Sequence, residues 1–352
     1  MLGQTKKQFS FTRAHLRTNG RAKSNFLSVE SDSSDYSGAN FVVSVDIRLR
    51  ESVCLREAFV LSGHPRKLLL LLVLYLSAFR LIAAETNLTE ITGSESPRWS
   101  SFLPLMAEEA IKRGYELPLP FGVSAIYNHI ERDIQVNDLR LGLNGAPPRS
   151  VSRFVDLGSN SRVDAAIDRI DAWLLPFVNV YALMGCLRNE SVTEGIATVP
   201  QLAPPGSRTL NFTAKTVLEG FVAGAGLTLA AGYRNFFVTA DANYSKTDIG
   251  FDETFRALIV SSRIGWNGRI GVVPTRFWVG GMYWDTENIA KGTVNISGEG
   301  SVKFEVDQGP AHPWNASVGT SVVISRHWET FLEYGFNFND VQFLATGLTF
   351  RF

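Results

Sequence analysis

Ser325, His327 and Glu329 stand two residues apart, and a serine, a histidine and a carboxylate are the groups that acyl transfer uses as nucleophile, base and orienting acid. On an extended strand, residues two apart share a face, so His327 and Glu329 would point the same way, while Ser325 lies across a turn near Arg326. The set could belong to a hydrolase acting on lipid; the simpler reading, polar residues at a turn, is favoured. The five histidines are His15, His64, His129, His312 and His327, and His15 and His64 fall in the part expected to be absent from the mature protein. Gly220, Gly224 and Gly226 could suggest a nucleotide loop, but no Walker, G-x-S-x-G or H-x-x-x-H pattern occurs, and glycines inside strands more simply allow close approach or a bend. With Cys54 and Cys186 the only cysteines, neither a disulfide framework nor a four-cysteine zinc site can form. No cofactor and no metal is implied.

A second set of residues could act through charge alone. Arg140, Asp164, Asp168, Lys215, Glu219, Asp241, Glu329, Glu333 and Arg351 fall on positions predicted to face the interior of a β-structure. In a narrow barrel they would pair into networks that fill the lumen; in a wider one they would line a water channel, and their acidic majority predicts weak cation preference.

The elements that carry these residues show a period of two. Trp314, Ala316, Val318, Thr320, Val322 and Ile324 alternate with Asn315, Ser317, Gly319 and Ser321; after a turn, Trp328, Thr330, Leu332, Tyr334 and Phe336 continue, and Leu344, Thr346, Leu348, Phe350 and Phe352 close the chain. Similar runs begin near 121, 135, 161, 174, 209, 222, 236, 254 and 275, giving about twelve strands with those at 314, 327 and 342. Weaker candidates at 151–158 and 294–306 make fourteen possible, and Arg256, Arg263 and Arg276 blur the alternation of their runs. Two-faced segments of about ten residues fit a transmembrane antiparallel β-barrel, with lipid on one side and a polar interior on the other. A soluble β-sandwich would alternate too, but here aromatics such as Trp173, Tyr233, Phe236, Trp266, Trp314 and Trp328 gather near strand ends, as interfacial girdles require. Loops 188–208 and 285–313 would lie outside the cell and could serve surface binding.

The chain of 352 residues is 45% hydrophobic and 19% charged, with formal net charge zero and mean hydropathy +0.03. No basic excess argues for nucleic acid, and the hydropathy is too low for a helical membrane bundle. His64-Pro65-Arg66-Lys67, the apolar run Leu68 to Phe79 and the small residues before Glu85 read as a signal peptide over 60–84, cleaved after Ala84; Arg80 interrupts the run too early for a spanning anchor. Residues 1–59 would then be a mis-called start or a disordered extension, with Val60 or Leu61 as candidate starts. Removing 1–84 takes 12 of 34 basic and 6 of 34 acidic residues, leaving 22 against 28, and leaves Cys186 without Cys54. A lead over 85–116 holds one helical stretch, 101–113, closed by Gly114; it could pack at the domain edge, lie on a membrane surface or plug the barrel spanning 117–352.

Gly347, Phe350 and the terminal Phe352 resemble the C-terminal signal of bacterial outer-membrane β-barrel proteins, although Ala345 departs from the polar residue usual at its start. The resemblance covers 118–352 as architecture and the last eight residues as motif. It implies a porin-like barrel in the outer membrane of a Gram-negative-type bacterium, surrounded by outer-membrane lipid and read by the barrel-assembly machinery, with passive transport or envelope structure as its function.

Overall fold

The structure is a computed structural model, and it describes residues 15–18, 21–22, 27–32, 41–49, 99–198, 209–249, 254–286, 288–296 and 300–352. The signal-peptide segment 60–84 and Cys54 lie outside the described residues.

Ten antiparallel strands close into a barrel: β1 (Phe121–Leu143), β2 (Val155–Leu175), β3 (Val178–Thr198), β4 (Thr209–Tyr233), β5 (Phe236–Asp248), β6 (Phe255–Ile270), β7 (Val273–Asp285), β8 (Trp314–Val323), β9 (Trp328–Phe336) and β10 (Val341–Arg351). Each pairs with the next, and β10 pairs back onto β1. The seam is tied at its end by two backbone bonds, Phe121 N–H to the Phe352 carbonyl at 3.1 Å and Phe352 N–H to the Phe121 carbonyl at 3.0 Å.

The register fixes the shape. Stepping across partners from Gly268 through Thr275, Val322, Thr330, Leu348, Ala125, Asp168, Met184, Ala223 and Lys246 returns to β6 at Arg256, so one circuit is displaced by 268 − 256 = 12 residues. With about 3.3 Å per residue and about 4.7 Å between strands, that displacement tilts the strands by about 40° and sets a backbone radius of about 10 Å. So narrow a ring is filled by ordinary side chains wherever they are large.

The expected twelve strands are corrected to ten. The runs at 121 and 135 are both β1, those at 209 and 222 are both β4, the weak candidate at 151–158 is a short 3-10 turn, Ser152–Phe154, leading into β2, and the one at 294–306 belongs to a hairpin outside the ring. Charges such as Glu131, Arg132 and Asp133, or Glu219 before Gly220, read like turns, yet the strand runs through them. Strands β1 to β4 hold 23, 21, 21 and 25 residues, about twice what a tilted bilayer crossing needs. They therefore rise as a wall above the shorter strands β5 to β10. The hairpin Asn288–Ile296/Gly300–Pro310 extends the wall along β1, and Phe41–Leu49 runs parallel to β4 on its other edge, itself paired with Leu27–Asp32. Residues 188–198, expected in a loop, are thus strand, and 199–208 lie outside the described residues.

The two ends differ. At one, strands turn through Pro176–Phe177, Arg234–Asn235, Gly271–Val272 and 324–327; the other carries the wall and the long connections. Gly271 (φ 63°) and Arg234 (φ 56°) hold the first turn position, where primed hairpin turns require positive φ. Residues 99–120 lie at the short-turn end: Leu105 N–H bonds the Leu174 carbonyl at 2.9 Å, and the Tyr115 hydroxyl donates to the Gly232 carbonyl at 3.3 Å. The expected helix over 101–113 shortens to α1 (Ala107–Lys112), with Glu108 and Glu109 in its first turn, Lys112 in its last, and Gly114 (φ 86°) just beyond it. It begins only after Met106, whose left-handed backbone (φ 65°) cannot belong to a helix. In the full chain Cys186 is disulfide-bonded.

The outer face between the two ends is apolar. On β5, Phe236, Val238, Ala240, Ala242 and Tyr244 point outward, and an aromatic ring of residues bounds the band at each level. Tyr233, Phe236, Trp266, Phe277, Trp328 and Phe350 form the lower girdle, and Tyr244, Tyr283, Trp314 and Tyr334 the upper. Eight residues separate Phe236 from Tyr244, about 26 Å along the strand and about 20 Å along the axis at that tilt, close to the ~25 Å apolar band of outer-membrane barrels.

Candidate functional site

Inward positions are set by side chains that meet across intervening strands. The Tyr181 hydroxyl reaches both carboxylate oxygens of Asp241, at 2.9 and 3.0 Å, by lying over β4. It can do so because Gly226 is beneath it; a Cβ there would stand 2.3 Å from the Tyr181 ring. Thr228 adds a third bond to Asp241 at 2.6 Å, and the Arg169 guanidinium sits 3.7 Å over the Tyr181 ring. On the opposite arc, Arg263 of β6 forks onto Glu333 of β9, Nε to Oε1 and Nη2 to Oε2, each at 2.9 Å. This pair spans β7 and β8, whose Gly280 and Gly319 leave room, while Trp278 Nε1 and Ser317 Oγ donate to the same Oε1 at 3.1 and 2.8 Å. Toward the short-turn end, Arg351 and Asn179 both donate to Asp171, Arg169 donates to Asn179, and Arg276 is bonded to Glu329. Together these groups form an ionic floor across the lower half of the barrel.

Such a floor is held by completeness. Glu333 is 4% exposed, Asp171 3% and Asn179 1%, so each of these polar groups depends on its partners rather than on water. The bidentate arginine and two further donors meet most of the lone pairs that Glu333 presents.

Above the floor lies a cavity of about 430 Å3. Its walls are mainly apolar, with Ile126, Ile167, Leu183, Val222, Met282 and Phe331 among them, and its floor is Arg169, Tyr181, Asp241, Arg263 and Glu333. Met282, Trp284, Val341 and Phe343 cluster along one side, the Trp284 and Phe343 rings 5.3 Å apart. Near the upper rim Arg132 donates from Nη1 to the Thr286 hydroxyl at 3.0 Å. Three buried donors around this cavity have no acceptor: Arg132 Nε, Arg169 Nε and Trp284 Nε1.

The nine charges singled out from the sequence divide. Asp241, Glu329, Glu333 and Arg351 face the interior, all within the floor. Asp164 shows the opposite parity to Val163 and Ala165, which line the cavity; it lies on the outer face, accepting from Tyr127 at 2.6 Å and from the His129 ring at 2.7 Å. Glu219 is on the same outer face, beside Arg188, and with Glu131–Arg162 these residues make a charged collar above the upper girdle. Asp168 points outward beside Ile170, and Lys215 lies exposed on the wall. Arg140 sits on the wall too, paired with Asp138 and Glu305. There the Ser150 and Ser152 hydroxyls, with Arg140, hold the Asp138 carboxyl below the usual carboxylate range. The residues lining the cavity include four arginines, Arg132, Arg169, Arg256 and Arg263, beside Asp241 and Glu333.

The serine, histidine and carboxylate do not converge. His327 uses Nδ1 on the Arg351 carbonyl at 2.6 Å and stacks on Phe350, while Glu329 is held by Arg276 inside the ring. Arg263 and Arg276, which blur the strand alternation, are the signal that sequence reading could have used for the floor: a basic residue on an otherwise clean strand needs an inward partner. Gly347 lies under the Phe331 ring, and Phe350 and Phe352 join the lower girdle at the seam, with Phe352 5.8 Å from the Phe121 ring.

No protein-family model and no curated protein matches the sequence. Among solved structures, the chain is similar to the outer membrane protein OprG from Pseudomonas aeruginosa, at 13% identity and a TM-score of 0.34 over 67% of this chain and 100% of that one. It is similar to the translocator domain of the autotransporter NalP from Neisseria meningitidis, at 11% and 0.32 over 69% and 93%. It is also similar to the toluene transporter TodX of Pseudomonas putida, at 9% and 0.29 over 65% and 87%.

Proposed function

We propose that this chain is an outer-membrane β-barrel of a Gram-negative-type bacterium that serves passive transport of small solutes across a restricted interior. The observation that carries the reading is the apolar band between two aromatic girdles on a closed ring, with charges turned inward or collected above the band. The short turns then face the periplasm and the wall faces the outside. Outer-membrane lipid surrounds the band, and the barrel-assembly machinery would read Gly347, Phe350 and Phe352 on the strand that closes the seam. The wall adds surface on which contact with other cells could be made.

Fractionation with a heat-modifiability gel tests the reading. A band in the outer membrane whose mobility changes on boiling is expected, together with bilayer conductance far below that of a wide water-filled porin, because the floor occupies the lumen. A soluble periplasmic protein without the shift would overturn the barrel in lipid, and large steady conductance would overturn the restricted interior.

Orientation is tested separately. An Ile196→Cys variant, outward on the wall and 50% exposed, is expected to react with an impermeant maleimide on intact cells, whereas Val238→Cys, inside the band, stays unlabelled. No labelling of Ile196→Cys would remove the wall from the cell exterior, and labelling of Val238→Cys would remove the band from lipid.

A further inference from the structure

Charged and apolar side chains of the interior are separated along the barrel axis, and the apolar part encloses space. On β2, Val163, Ala165 and Ile167 line the cavity above the floor while Asp164 faces out, the reverse of the polarity that a water-filled lumen has. The floor beneath spends its hydrogen-bonding capacity on itself. Arg263 places Nε and Nη2 on Glu333 and Nη1 on the Ser261 hydroxyl at 3.1 Å, Glu333 also accepts from Trp278 and Ser317, and Asp241 accepts from Tyr181 and Thr228. Arg132 Nε, Arg169 Nε and Trp284 Nε1 are shut inside the wall with no open surface, so they offer a molecule in the cavity no hydrogen bond. A water lodged against Met282 and Phe343 would find few of the ~2–4 polar partners that hold one in place, so replacing it with an apolar group is favourable.

We infer that this cavity binds a neutral, compact apolar molecule of about two fused rings, seated against Met282, Trp284 and Phe343, with Leu183 of β3 and Val222 of β4 facing it from across the barrel. The Trp284 and Phe343 rings, 5.3 Å apart and tilted by 41°, present faces and edges on which a flat molecule can pack, and the Met282 thioether is a polarizable neighbour for it. Size agrees: an apolar cavity of about 150 Å3 holds benzene, and about 430 Å3 gives nearly three times that room. Naphthalene, with ten carbons, fits. An ion of the same size would give up its hydration beside charges that already have their partners, so both the anionic and the cationic analogue are disfavoured.

The inference rests on the barrel reading and names the class of solute, and the test separates the two. The full chain in phosphatidylcholine nanodiscs is brought to equilibrium by dialysis against radiolabelled naphthalene, with empty nanodiscs as the blank; 2-naphthoate and 2-naphthylmethylammonium are then tested as competitors. Excess naphthalene that saturates near one per barrel is expected, whereas partition into lipid alone would rise without saturating. Each ion is expected to compete at least tenfold more weakly than unlabelled naphthalene. Ile126→Trp and Leu183→Trp, which fill the cavity from two strands, are each expected to lower naphthalene affinity at least tenfold, and Val238→Trp, on the lipid face, to leave it unchanged. Each variant must keep the heat-dependent gel shift. No saturable excess on a wild-type barrel that shifts, an ion that competes as well as naphthalene, or indifference to both cavity-filling variants would overturn the ligand assignment. A wild-type chain that shows no shift would instead overturn the barrel reading.

Discussion

Replacing Glu333 by alanine is expected to lower the unfolding free energy of the barrel by about 3–5 kcal/mol, the usual cost of removing one partner of a buried ion pair. The substitution leaves the Arg263 guanidinium inside the ring with its fork empty, and strips the acceptor from Trp278 Nε1 and Ser317 Oγ at the same time. Glu333→Gln is expected to cost less, since an amide oxygen can still serve Trp278 and Ser317. The double variant Arg263→Met/Glu333→Leu is expected to recover most of the loss, because an apolar pair of similar volume needs no desolvation of charge. Urea midpoints followed by the gel shift measure all three. A loss below about 1 kcal/mol for Glu333→Ala would mean that water reaches Arg263 freely, and the floor would then be no barrier.

How far this architecture was legible in the sequence depends on the strand. From Trp314 to the end, small polar residues such as Ser317, Gly319 and Ser321 alternate with apolar ones, and β8 to β10 lie where that pattern puts them. In β1 and β4 the same rule splits one strand in two. The collar charges stand midway along strands long enough to leave the band, and a charged step looks like a turn when each strand is assumed to end with the membrane.

The interior was less legible, for two physical reasons. The assumption that polar residues face inward fails above the floor, where Val163 and Ile167 line the cavity while Asp164 and Asp168 face out. A shift of one position exchanges the faces of an entire strand. The floor also joins residues far apart in the chain, Arg263 with Glu333 and Tyr181 with Asp241, and such pairs follow from the register of closure rather than from local spacing. Asp241, Glu329, Glu333 and Arg351 were found by their charge; Tyr181, Asn179 and Trp278, which complete the same network, carry no charge to betray them.

Substituting Gly226 by alanine tests the other half of the floor, and the expected result is a destabilisation of about 2–3 kcal/mol, in the range for overpacking a filled interior. The new Cβ would stand 2.3 Å from the Tyr181 ring and 2.7 Å from the Ala242 carbonyl oxygen. A tyrosine free to swing would give way cheaply. Here the ring is fixed from three sides, by Asp241 at its hydroxyl, by Arg169 on its face and by β4 beneath. Tyr181→Ala removes the obstacle but leaves Asp241 with Thr228 as its remaining close donor, so that variant is expected to be destabilised as well. The informative quantity is the coupling between the two. In the double variant Gly226→Ala/Tyr181→Ala, the cost of the new methyl is expected to fall by about 1–3 kcal/mol relative to its cost beside tyrosine, as for residues in direct contact. Urea denaturation of the four proteins in detergent gives this number. If the two substitutions simply add, Tyr181 does not lie over Gly226, and the arc of floor built on that contact is absent.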